Sequence, residues 1–250
     1  MTDEFALEAK HLVDPAKASL PGLMMLYGPY GQGKTWLAAS ASEVEGLYPM
    51  LIIDNEGSTT GTITGFDQSR IDVVQPKKSW PGNEWKATKT LLNNLLTKEH
   101  KYKTVVIDTM NSMLEWAKVA GDVPGDGYAK WNFVHEQITA ENGLIDRLKN
   151  ADFLAILVVH EKKEASDDDG PSSADFRWQG QGVGFLGQYP DIIGYVTRDT
   201  DRAGNSKSTL QTAPTKRSNA KNRFNLPAKI ENPSMKVLYD LISKTNEKEN

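Results

Sequence analysis

Four short apolar runs punctuate the chain: Leu23 to Tyr27, Met50 to Ile53, Thr104 to Ile107 and Phe153 to Val159. None alternates with polar residues, so each predicts a strand buried on both faces. The stretches between carry helical spacing over Lys34 to Val44, Glu84 to Lys98, Asn111 to Ala120 and Trp131 to Lys149. In the last of these, Phe133, Ile138, Leu144, Ile145 and Leu148 supply the apolar face. Strands alternating with helices predict an α/β fold, a mainly parallel sheet flanked by helices. Ile71 to Val74 adds a further short strand.

After residue 160 this pattern dissolves. Glu161 to Gln188 is polar and Gly-rich, holds Asp167, Asp168 and Asp169 in a row, and predicts a long loop of a functional or disordered kind. Ile192 to Arg198 and Ser206 to Thr212, joined through Asp201 to Asn205, predict a C-terminal antiparallel hairpin. Asn232 as N-cap and Pro233 at the first helical position open a last amphipathic helix, Met235 to Ile242. The expected organisation is an N-terminal segment 1–20, a core 21–245 and a flexible tail 246–250. The polar residues from Lys244 onward are expected to fray.

Composition removes several classes of function. The chain has 250 residues, 38% of them hydrophobic, enough to bury a sizeable core, which excludes disorder throughout. It has no cysteine, which excludes a disulfide scaffold, a Cys-ligated metal and thiol catalysis. No apolar run approaches the ~20 residues that span a bilayer. The acidic start, Met1 to Phe5, leads into no signal-type stretch, so no membrane and a cytoplasmic location are expected. The formal net charge of −4 argues against coating nucleic acid through global positive charge; any such contact must be local.

The candidate chemistry begins at Gly28-Pro29-Tyr30-Gly31-Gln32-Gly33-Lys34-Thr35, with Trp36 next in the same binding segment. It matches the phosphate-binding pattern G-x-x-x-x-G-K-[ST] and stands between a predicted strand and a predicted helix. Glycines there let backbone N–H groups turn around phosphates beside a helix N-terminus. Lys34 reaches the β and γ phosphates of ATP, and Thr35 is a ligand for Mg2+. A second element is the strand Thr104 to Ile107 ending in Asp108, a metal-binding carboxylate in such ATPases, although an Asp in this place also caps helices and forms turns. A third is Asp54-Asn55-Glu56-Gly57 after the second strand, where Glu56 is a candidate base for in-line attack of water, or part of a solvated loop.

In this order the three elements resemble the RecA-like recombinase ATPases, and Asp54-Asn55-Glu56 is similar to that family's acid-x-Glu motif. The resemblance places a γ-phosphate sensor at His160 or Glu161, where the family has Asn-Gln. It implies that Lys221 and Arg223, within Lys216 to Phe224, reach the ATP of a neighbouring subunit as an arginine finger does. Most similar are the small phage-encoded RecA-like ATPases of single-strand annealing and recombination, over roughly residues 20 to 245. That likeness implies a RecA-like P-loop NTPase core, single-stranded DNA binding, a homo-oligomeric ring or filament with active sites between subunits, and cooperation with a single-strand-binding protein.

Two family loops that face DNA correspond here to 121–133, with Tyr128, Lys130 and Trp131, and to 162–188, with Lys162, Lys163, Phe176, Arg177 and Trp178. Aromatic faces stack on bases of any sequence while Lys and Arg contact phosphates. Trp131 and Phe133 also fit a helix core. Two other functions stay open: a RecA-class helicase or loader, and a nucleotide-switched adaptor that recruits replication or recombination partners without binding DNA.

Overall fold

Leu23–Gly28 (β1) is buried at every position. Its side chains divide as those of a strand between two layers must: Leu23, Met25 and Tyr27 enter one core, Met24 and Leu26 the other. A computed structural model describes residues 21–120, 127–163, 174–176, 187–201, 203–215 and 218–248. Within them Met50–Asp54 (β2), Ile71–Val74 (β3), Thr104–Asp108 (β4) and Leu154–Lys163 (β5) join β1 in the order β3-β2-β4-β5-β1, every pair parallel. Ala174–Phe176 (β6) runs antiparallel along the end of β5.

Ile192–Thr200 (β7) extends the sheet parallel to β1, and Ser206–Gln211 (β8) returns antiparallel to it as the expected hairpin. Two short strands, Lys221–Asn222 (β9) and Lys229–Glu231 (β10), pair with β7 and β8. The fold is therefore α/β, with a mainly parallel sheet and an antiparallel C-terminal end.

Eight helices cover the sheet among the described residues: Lys34–Ala39 (α1), Thr59–Ile63 (α2), Pro76–Ser79 (α3), Glu84–Thr97 (α4), Met110–Val119 (α5), Tyr128–Val134 (α6), Leu144–Lys149 (α7) and Met235–Lys248 (α8). One core takes Trp85 and Leu92 of α4, Met113 and Leu114 of α5, Val134 of α6 and Leu148 of α7. The other takes Leu37 of α1 and Met235, Leu238 and Ile242 of α8. Each such side chain contributes about 1.5–3 kcal/mol on burial.

Several expectations are corrected. The single helix expected from Trp131 to Lys149 is two, because a wider turn at His135–Thr139 leads into Asn142 at φ +60° and then Gly143. A Cβ on Gly143 would lie 2.7 Å from the Ala140 carbonyl oxygen, so the chain bends where only glycine fits. Val134, Ile138, Leu144, Ile145 and Leu148 are all buried on both sides of that bend, which is why their spacing reads as continuous.

The last helix is capped by Ser234, whose Oγ accepts from the Val237 N–H at 3.2 Å. Asn232, the expected cap, instead takes φ +46° ahead of it. The helix runs on to Lys248, past the point where fraying was expected. The polar stretch from Glu161 opens as strand, with β5 carried to Lys163 by its pairing with β6. Residues 1–20, 164–173 and 177–186, including Asp167, Asp168 and Asp169, lie outside the described residues. Among those described, no helix is long and apolar enough to cross a membrane.

Candidate nucleotide site

Because β1, β2, β4 and β5 are parallel, their C-terminal ends reach one edge of the sheet, the edge at which open α/β sheets bind ligands. Asp54, Asp108 and Val158 stand level across that edge. A cleft of about 930 Å³ opens there, lined by Tyr30 to Leu37 on one side and by Val196, Arg198, Ser208, Asn232 and Pro233 on the other.

The phosphate loop leaves β1 at Gly28, and that residue has no room for a side chain. Its φ is +148°, and a Cβ would lie 2.2 Å from the Val196 carbonyl oxygen on β7. Gly33, at φ +91°, makes the last turn into α1. Lys34 is buried, and its Nζ donates to the carbonyls of Gly28 at 2.8 Å and Pro29 at 2.7 Å. Burial lowers its pKa, against the pull of Asp108, Glu56 and Glu161. Gln32 accepts through its side-chain oxygen from the Arg198 N–H, which ties the loop to β7.

Thr35 Oγ1 donates to Asp108 Oδ2 at 2.6 Å. Burial pushes the Asp108 carboxyl up to about 6, in spite of that hydrogen bond, and the nearby acids Glu56 and Asp54 push it in the same direction. These are two hard oxygen donors side by side at the head of the loop, the donor chemistry that suits Mg2+.

Asp54 works as a clamp. Its Oδ1 accepts from the N–H groups of Glu56 (3.3 Å), Gly57 (2.7 Å) and Ser58 (3.2 Å), and its Oδ2 from Thr59 N–H (3.1 Å) and Gln75 Nε2 (2.8 Å). One buried carboxylate thus shapes the turn that carries Glu56. Asn55 holds that turn to the next strand, donating Nδ2 to the Thr109 carbonyl at 2.9 Å.

Glu56 Oε1 accepts from Thr109 Oγ1 at 3.0 Å and lies 2.6 Å from His160 Nε2. The His160 hydrogen bond is the largest influence holding the Glu56 carboxyl below its ordinary value. His160 in turn donates its backbone N–H to Asn111 Oδ1 at 2.8 Å, and its ring lies 4.3 Å from that of Tyr30, centroid to centroid. Glu161 accepts from the Tyr195 hydroxyl at 3.0 Å. Trp36 is 45% exposed inside the cleft, with its ring 5.6 Å from Phe66.

The site therefore gathers the phosphate loop from Tyr30 to Trp36 with Glu56, Asp108 and His160. It does not gather Lys221 or Arg223. Lys221 Nζ donates to the carbonyls of Gly187 and Gln188, both at 3.0 Å, and Arg223 NH1 to Asp191 Oδ1 at 3.2 Å. Asp191 also accepts from Gly22 N–H, which puts this cluster at the start of β1 rather than its end.

Of the residues expected to contact DNA, Lys130 is half-buried in α6, Trp131 packs against the core, and Lys162 is exposed on β5. Tyr128, Lys163 and Phe176 are placed by backbone only, in α6, β5 and β6, and Arg177 and Trp178 lie outside the described residues. Spacing did not disclose Arg198 and Thr109, which line the cleft, or Asn111 and Gln75, which hold His160 and Asp54 from other elements.

Comparison with known proteins gives three results. A family model described as an AAA domain matches residues 22–224. The crystal structure of the RadB recombinase is similar at 15% identity over 84% of this chain and 86% of that one, with a TM-score of 0.49. Comparison with curated protein sequences gives no match.

Proposed function

The chain belongs to the AAA-domain family, and from that premise we propose that it is a RecA-like ATPase working in recombination, which binds single-stranded DNA and promotes annealing or pairing of strands. The observation that carries the hydrolytic half of this reading is the meeting of Thr35 and Asp108 at 2.6 Å beside the phosphate loop. Both would hold Mg2+. Among the described residues no group of three or more His, Cys, Asp or Glu side chains could hold a metal, so water and phosphate oxygens would complete the shell, as is usual for Mg2+. When bound, that ion offsets negative charge on the β and γ phosphates.

The remaining work falls to the chain's own side chains. Lys34 would exchange two loop carbonyls for phosphate oxygens. Glu56, kept ionised by His160 and Thr109, would take the proton of the attacking water. Trp36 would offer an indole face to the adenine.

The DNA half rests on placement. The strand that bears His160 continues directly into Lys162 and Lys163, so a charged arm leaves the sheet from the catalytic edge. Assembly as a ring or filament would bring the Lys221 and Arg223 face of one copy to the nucleotide of the next and multiply weak, salt-sensitive DNA contacts. A single-strand-binding protein and a phage setting complete the reading.

The test is the ATPase rate with and without single-stranded DNA, paired with sizing in a nonhydrolysable nucleotide. Faster hydrolysis on DNA and larger assemblies are expected. A rate indifferent to DNA, with no DNA bound at low salt, assigns the chain to the adaptor class instead. Strand displacement on a forked duplex assigns it to the helicases.

A further inference from the structure

The nucleotide cleft shares a wall with a second cavity. This one measures about 290 Å³ and is bounded by Trp116 of α5, Trp131 of α6 and Lys77 of α3. Tyr30, Glu56 and His160 line both spaces, so the partition between them is made of the candidate base, the imidazole that holds it and the ring beside that imidazole. We propose that the smaller cavity receives one base of a single-stranded nucleic acid and, through that partition, sets the position of Glu56. The proposal deepens the DNA-binding reading above and rests on it.

The chemistry of the walls selects the occupant. Aromatic planes are supplied by Trp116, Trp131 and Tyr30, the surfaces on which bases stack whatever their sequence. Each indole has an ammonium over it: Lys77 Nζ is 5.9 Å from the Trp116 ring and Lys118 Nζ is 4.7 Å from the Trp131 ring. These cations are placed to meet the phosphates on either side of an inserted base.

The inner wall carries the Glu56 carboxylate and the exposed rim that of Glu115; both repel a phosphate but accept from the exocyclic amine of a base, so the lining favours a neutral ring over a charged group. The volume, about 290 Å³, is just under the ~300–1,000 Å³ typical of whole-ligand pockets, as suits a single ring.

An inserted base would lie against the partition, where the Tyr30 ring covers the His160 imidazole and the imidazole holds Glu56. Occupancy is therefore felt by the one carboxylate placed to activate water. Hydrolysis would respond to a base rather than to the sugar-phosphate backbone alone.

The experiment compares an oligodeoxyadenylate with an abasic strand of equal length, using the full chain and reading the ratio of ATPase rates with and without strand. The oligodeoxyadenylate is expected to accelerate hydrolysis and the abasic strand to leave it at the basal rate. Trp116→Leu and Trp131→Leu are each expected to weaken oligodeoxyadenylate binding about tenfold or more and to abolish the acceleration. Trp80→Leu, outside the cavity, is expected to keep the wild-type ratio.

Equal acceleration by both strands, or a wild-type ratio in both cavity variants, overturns the pocket and leaves the DNA-stimulated ATPase standing. No response of the wild-type protein to any strand overturns both. Variants that change the size of the assembly while keeping the DNA response assign the cavity to a side chain of a second copy, and so also overturn the proposal.

Discussion

Glu56 Oε1 and His160 Nε2 meet at 2.6 Å across 104 positions of sequence. The contact follows from register. Asp54, Asp108 and Val158 share one row of the sheet, and Glu56 and His160 each stand two residues beyond it, Glu56 on the turn after β2 and His160 on β5, the strands that flank β4. A carboxylate fixed by a ring and a hydroxyl loses little freedom when it has to orient water.

Replacing Glu56 with Gln keeps the size of the side chain and removes the base. ATP binding is expected to persist while hydrolysis falls by about 10²–10⁴-fold. Retained thermal protection by ATP, beside a lost steady-state rate, checks both halves; normal hydrolysis in this variant ends the assignment.

Asp54→Ala removes the acceptor of four backbone N–H groups and of Gln75 Nε2. Loss of hydrogen bonds to a buried charge is expected to cost about 3 kcal/mol in urea unfolding. Hydrolysis should fall with it while nucleotide still binds. A variant of unchanged midpoint would mean that the clamp does not shape the turn.

Asp108 carries a cost in the metal-free protein. Its folded pKa of about 6 stands above the ordinary 3.8, so between these values the folded state holds a proton that the unfolded state has released. Its contribution to stability is therefore greatest below the lower value and declines as pH rises through the upper one, by about 3 kcal/mol in all. With chelator and no nucleotide, Asp108→Asn is expected to raise the melting temperature at neutral pH and flatten this decline, while abolishing Mg2+-dependent hydrolysis. A lower melting temperature across the whole range would contradict it.

Gly28→Ala tests the join between β1 and β7. The added Cβ would lie 2.2 Å from the Val196 carbonyl at a φ that side chains rarely adopt, so the strands must part or the loop must move. We expect loss of soluble protein, or of nucleotide binding in what remains. A well-folded Ala variant with wild-type affinity would show that the two strands can separate at little cost.

What the sequence disclosed depended on how local the cause was. Strands β1, β2, β4 and β5 were legible because burial on both faces leaves an uninterrupted apolar run. The phosphate loop was legible because its glycines answer to local backbone geometry. The break before α7 was not, since Ile138 and Leu144 keep helical spacing across a bend set by Gly143. Strands β9 and β10, of two and three residues, owe their form to β7 and β8 and carry no pattern of their own. Asp54 reads from sequence as one acid of a catalytic pair, and only its five donors identify it as the clamp.

The cluster around Asp191 sets a limit on what one copy can do. Arg223 is anchored there beside Gly22, while the phosphate loop begins at Gly28, six residues along an extended strand, or ~20 Å at the usual rise. No side chain bridges that distance, so Arg223 can serve the proposed phosphate chemistry only from another copy. On that proposal activity belongs to the junction and not to the chain: specific rate is expected to rise with protein concentration, and a copy lacking Arg223 to be rescued by one lacking Lys34.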